Sequence, residues 1–270
     1  FALILTSSWF LIQFLLFWSV DLTLSAVVAS QLIILILPVI MAVLLTSAPR
    51  KTLRFTWPEP RYLLLAVALV VALNPLVNEL RPWVESLFPI PSVIKVTLVK
   101  LMAQAPGLAV SLVVFALVPA VCEEFAFRGF ILSGLEHQHR TRSAILLSAL
   151  LFGFLHVLLS LFQQLFNATL LGIVLGLLAV RSRSILPGIV FHFLTNALAV
   201  SLGSLASDPR ARSIVPWIYR NPAEGLYHVI WIVASVLFSG LLLVHLWNLK
   251  LDRPGRSAPP GGAGPVEPAF

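Results

Sequence analysis

The chain is short of charge. Asp, Glu, Lys and Arg make up only 11% of its 270 residues, against about 25% in ordinary soluble domains. With 59% hydrophobic residues it cannot clothe a water-soluble surface, so soluble classes are excluded and a polytopic membrane protein is expected. Cysteine is nearly absent. Cys122 stands alone, which excludes an intrachain disulfide and any zinc site built on several thiolates. The net charge is +7, but the basic residues fall in short loops rather than one patch, so nucleic acid is not an expected partner. The opening run lacks a basic n-region and a clear cleavage site. Beginning at Phe1, it reads as a genuine span of a polypeptide truncated at its start, not as a signal peptide. No internal repeat and no long soluble domain is visible.

Apolar runs of about 20 residues suit helical spans. They fall at 2–20, 24–46, 62–78, 105–122, 144–162, 166–180, 184–203 and 226–248. The fold class expected is all-α, a polytopic transmembrane bundle of about eight spans with a polar site inside it. Residues 82–104, with Pro82, Pro89 and Pro91, suit a broken interfacial segment. Gln163, Gln164 and Asn167 mark a turn between the fifth and sixth spans. Gly172 and Gly176 form a small-residue face for helix packing. Four organisational units follow: 1–104, N-terminal spans plus the interfacial segment; 105–203, the core carrying the polar motifs; 204–250, a loop and the last span; and 251–270, a disordered Pro/Gly-rich tail.

Twelve of the 18 Lys and Arg residues, among them Arg50, Lys51, Arg54, Arg140, Arg142, Arg181 and Arg183, lie in or beside every second loop or in the tail. Under the positive-inside rule both chain ends are then cytoplasmic. The same count puts Glu123 and Glu124 at the cytoplasmic end of the fourth span.

Charges at membrane depth cost roughly 2.5–3.5 kcal/mol each on insertion scales and are seldom kept without a use. Glu123, Glu124 and Arg128 close the fourth apolar run; His156 lies in the fifth, and His192 with Asn196 in the seventh. Glu124 and Arg128 are four apart, share a helix face and can pair. Glu123 points about 100° away, free to face a cavity. His192 and Asn196 likewise share one face. Taken one at a time, each has a bland reading: a solvated charge cluster, a satisfied core histidine, a packing amide. Taken together they suit a bundle core whose facing side chains build a site. Glu123 can act as general base toward water, with His156 helping to hold or deprotonate it. His192 and Asn196 can donate to a developing oxyanion. Alternatively Glu123, His156 and His192 bind a zinc ion that activates the water, although H-E-x-x-H is absent. A different class fits the same residues: a transporter or proton relay using the buried carboxylate and histidines. A non-catalytic immunity-type membrane protein is a third.

E-E-x-x-x-R at Glu123–Arg128, F-x-x-x-H at Phe152–His156 and H-x-x-x-N at His192–Asn196, in this order on successive apolar segments, resemble the CAAX prenyl endopeptidase family, also called the CPBP or Abi family of intramembrane metalloproteases. The resemblance covers roughly residues 105–200. It implies an intramembrane protease that cleaves a peptide or lipidated protein at the cytoplasmic face, as in prenylated-protein processing. Carried over, Glu123 and His156 activate water, His192 and Asn196 complete the site, and Glu124 and Arg128 support it. Zinc or a metal-free glutamate mechanism are both compatible with it. The further expectations are a bacterial inner-membrane location, the lipid bilayer as surroundings, and fusion to or association with a transporter permease.

Overall fold

The computed structural model describes residues 23–157, 162–207 and 215–249. The span expected at 2–20 and the tail lie outside them. The described chain is helical, as a backbone in lipid must be, because each N–H and C=O is then satisfied within its own segment. The helices are α1 (Leu24–Leu45), α2 (Pro49–Thr52), α3 (Pro60–Leu87), α4 (Ser92–Ala103) and α5 (Leu108–Gln138). They continue with α6 (Thr141–Val157), α7 (Phe162–Ser182), α8 (Leu186–Ser207), α9 (Val215–Ile218) and α10 (Val229–Asn248). Among the described residues five helices are long and apolar enough to cross a membrane, and α6 and α8 are shorter apolar companions. Large side chains such as Leu44, Leu64, Val71, Ile230 and Leu241 are exposed on the outer faces. That is a surface for lipid, and the chain is an integral membrane protein.

Four boundaries differ from those read off the sequence. Helix α3 does not stop near residue 78 but runs through Pro75 and Pro82 to Leu87; the break falls later, ahead of Pro91. Gln163, Gln164 and Asn167 belong to α7 rather than to a turn. A small antiparallel hairpin, β1 (Tyr219–Asn221) with β2 (Leu226–Tyr227), stands in what reads as plain loop. Most consequential, α5 does not end at the glutamates. It continues for 31 residues, about 46 Å at 1.5 Å per residue, and Glu123 and Glu124 lie in its middle.

Two apolar clusters pack the bundle. One joins α3, α7, α8 and α10 through Tyr62, Leu69, Leu178, Phe191 and Leu246. The other joins α1, α5 and α6 through Ile34, Ala126, Phe127, Ile131 and Phe152. The polar residues sit between them. The basic loops converge on one end of the bundle. Arg54 pairs with Glu136, the Ile185 N–H donates to the Arg54 carbonyl, the Thr56 hydroxyl donates to the Arg183 carbonyl, and Arg181 donates to the Leu249 carbonyl. The segregation of charge read along the sequence is therefore a segregation in space.

Candidate active site

Helix α5 changes gauge twice around its glutamates. Val113–Leu117 is π-helical, Val118–Glu124 is α-helical, and Phe125–Ile131 is π-helical again. Pro119 accounts for the first change. It has no N–H to give the preceding turn, where its ring would crowd the carbonyl, and that turn widens. Such π turns concentrate at functional sites.

The centre of the site is Glu124. Its Oε1 accepts from Arg128 Nη1 at 2.7 Å and from His192 Nδ1 at 3.2 Å. Both Glu124 and Arg128 are fully buried, which only a close pair allows. Arg128 also donates to the Gly172 carbonyl at 3.4 Å and lies 4.3 Å from the Phe152 ring centroid, a cation–π contact. Gly172 has to be small here. A Cβ on it would meet Ala149 at 3.0 Å and Arg128 Nη2 at 3.3 Å. With Gly176 against Ile145, this face packs α7 on α6, as the spacing indicates. Gly188 is constrained in the same way, since a Cβ there would fall 2.7 Å from Glu124 Oε2. Among the described residues that oxygen is buried with no hydrogen-bond partner.

Glu123 faces elsewhere, as helical periodicity requires. Its Oε2 lies 3.8 Å from His192 Nε2, and its Oε1 accepts from Gln31 Nε2 at 3.1 Å. His192 is thus set between the two glutamates, one ring nitrogen toward each. A proton on Nδ1, donated to Glu124, leaves the Nε2 lone pair toward Glu123. Phe152 packs edge-on to both imidazoles, 5.3 Å from His156 and 5.8 Å from His192 between centroids. His156 is half-buried, and its Nδ1 is 3.1 Å from the carbonyl of Phe152 on its own helix. Asn196 is half-buried one turn beyond His192; no hydrogen bond joins it to the glutamates.

The structure therefore brings Glu123, Glu124, Arg128 and His192 into one network, with His156 reaching it through Phe152. The nearest imidazole to Glu123 is His192, not His156. Among the described residues no three His, Cys, Asp or Glu side chains gather to hold a metal ion. Glu123 and His192 approach one another at 3.8 Å, while His156 stands outside that pair, its Nδ1 against its own helix. Gln31 is absent from the sequence reading. The signal is an amide in a strongly apolar helix, a polar group that lipid leaves unsatisfied.

Comparisons with curated proteins and with solved structures return no match. Residues 105–198 match the family model described as type II CAAX prenyl endopeptidase Rce1-like. That segment holds Glu123, Glu124, Arg128, His156, His192 and Asn196, and over it the chain is similar to the CAAX protease family.

Proposed function

We propose that this chain is an intramembrane endopeptidase that uses Glu123 to activate water against a peptide bond of a membrane-associated or lipidated peptide. The observation that carries the reading is the placement of His192 between two glutamates, one of them neutralised by a buried arginine. A water oxygen can hydrogen-bond both Glu123 Oε2 and His192 Nε2 across the 3.8 Å between them. Glu123 takes the water's proton as the C–O bond forms and the carbonyl electron pair moves onto oxygen. The same carboxyl then gives that proton to the amine as the C–N bond breaks. Asn196, one turn beyond His192, supplies an amide donor for the oxyanion, and His156, its Nδ1 given to the Phe152 carbonyl, keeps Nε2 as an acceptor toward the water.

Charge supports this division of labour. Two carboxylates against one guanidinium leave a surplus negative charge in a buried cluster, and protonation of Glu123 removes it. Glu124 is the poorer base, because Oε1 is held by Arg128 and His192 and Oε2 is buried against Gly188. With the basic loops gathered at one end, the positive-inside rule supports a cytoplasmic placement of that end, in a bacterial inner membrane.

The test is Glu123→Gln in protein reconstituted into vesicles, with an internally quenched prenylated peptide as substrate. Turnover is expected to fall about 10²- to 10⁴-fold, with expression and insertion unchanged. Turnover within twofold of wild type would remove Glu123 as the base.

A further inference from the structure

We propose that Gln31, on a helix outside the family-matched segment, is a positioning residue that fixes which oxygen of Glu123 meets the water. The inference rests on Glu123 acting as the base.

The terminal torsion of a glutamate is broad and nearly two-fold. The backbone alone therefore does not decide which oxygen points where, and a rotating carboxylate offers the site a mixture of lone pairs. Gln31 removes that freedom. A carboxylate only accepts, so Nε2 is the end of the amide that faces it. The 3.1 Å bond to Oε1 turns Oε2 toward His192. Helix α1 is held in register for this. Ile34, three residues beyond Gln31, enters the same cluster as Ala126, three residues beyond Glu123.

Structural economy does not account for the amide. Among the described residues its Oε1 is buried with no hydrogen-bond partner, and its bond to Glu123 is the one side-chain hydrogen bond it makes. A buried acceptor left unpaired is a net cost to folding. An apolar side chain of the same length would pack there with no such cost. Gln31 gains only at the carboxylate it orients.

Stability and turnover should then move in opposite directions. Gln31→Met keeps the length of the side chain and removes both the donor and the orphan acceptor. Its melting temperature is expected to hold or rise. Its kcat on the prenylated peptide cleaved by wild type is expected to fall about 10- to 100-fold, the scale of a misplaced catalytic group, with KM within about twofold. Gln31→Glu keeps the shape and replaces the donor with a like charge, so its kcat should fall further. A purely structural Gln31 would give the reverse pattern in Gln31→Met: a lower melting temperature with kcat unchanged. That pattern overturns the proposal. So does kcat within twofold of wild type in both variants while Glu123→Gln is inactive. An active Glu123→Gln instead removes the base itself, which is a separate failure.

Discussion

Glu79 and Glu124 are both carboxylates lodged among helices, and their surroundings differ in kind. Glu79, on α3, uses both oxygens. Oε1 accepts from the Tyr227 N–H at 2.8 Å, and Oε2 accepts from Arg220 at 2.7 Å. The Tyr227 hydroxyl goes on to Asn74 and also meets that of Tyr219. Burial, together with the Tyr219 contact, pushes the Tyr227 phenol above its ordinary range. The folded-state value being raised, this hydroxyl's contribution to stability stays constant below a pH of about 10, the ordinary tyrosine value, and is lost only above it. Both oxygens of Glu79 and the Tyr227 hydroxyl have partners, and their effect is to pin a hairpin. Glu124 crowds two donors onto Oε1 and leaves Oε2 buried and, among the described residues, unpaired. One network is closed. The other keeps an acceptor unmatched inside a fully buried cluster, a cost that suits a site held for chemistry rather than for architecture.

The comparison can be broken most forcefully at Arg128. Arg128→Met strands Glu124 as a lone buried charge and is expected to cost about 3–5 kcal/mol of unfolding free energy, read by denaturation in detergent. Adding Glu124→Gln removes the stranded charge. The double variant should recover most of that stability and none of the cleavage. If the double variant is as unstable as the single, the pair is holding the bundle together and the contrast fails.

Gly188→Ala comes next. A methyl 2.7 Å from Glu124 Oε2 must push the carboxylate away from His192, with an overpacking cost of about 1–3 kcal/mol. At least a tenfold fall in kcat is expected. Gly176→Ala is the control, since its Cβ meets only the Ile145 side chain at 3.0 Å; it should lower the melting temperature and leave kcat alone. Equal losses of kcat in the two variants would show that crowding anywhere in the bundle suffices. The smallest effect is at the hairpin. Tyr227→Phe should cost about 0.5–1.5 kcal/mol with cleavage unchanged, and a loss of cleavage would erase the distinction between the two networks.

What was legible in the sequence followed from local geometry. A spacing of four puts Glu124 on Arg128, and the neighbouring position turns Glu123 the other way; both hold because one helix turn decides them. The convergence of His192 on the glutamates follows from the cost of polar groups in lipid, which leaves few places for them to go. What was not legible depends on tertiary context. Proline marks a boundary only where no neighbouring helix covers the freed carbonyl, and α3, buried along Tyr62, Leu69 and Pro75, carries its two inner prolines without stopping. Glu123 and Glu124 look like the end of a span because they interrupt a hydropathy run. Arg128 pairs with Glu124, the packed helices bury both carboxylates, and the helix goes on. Gln31 escaped because its partner lies 92 residues away and no local spacing connects them.

The widened turns of α5 bear on how such a site tolerates change. A π turn closes from i to i+5 and so takes in one residue more than an α turn. Removing one residue from Phe125–Ile131 would let the segment relax to ordinary α-helix, with the same hydropathy and every motif letter still present. If the residue came from between Glu124 and Arg128, their spacing would drop from four to three and the guanidinium would meet the carboxylate from a different face. The site is encoded in a count as well as in an alphabet, and a single-residue gap inside this helix is a heavier change than most substitutions along it.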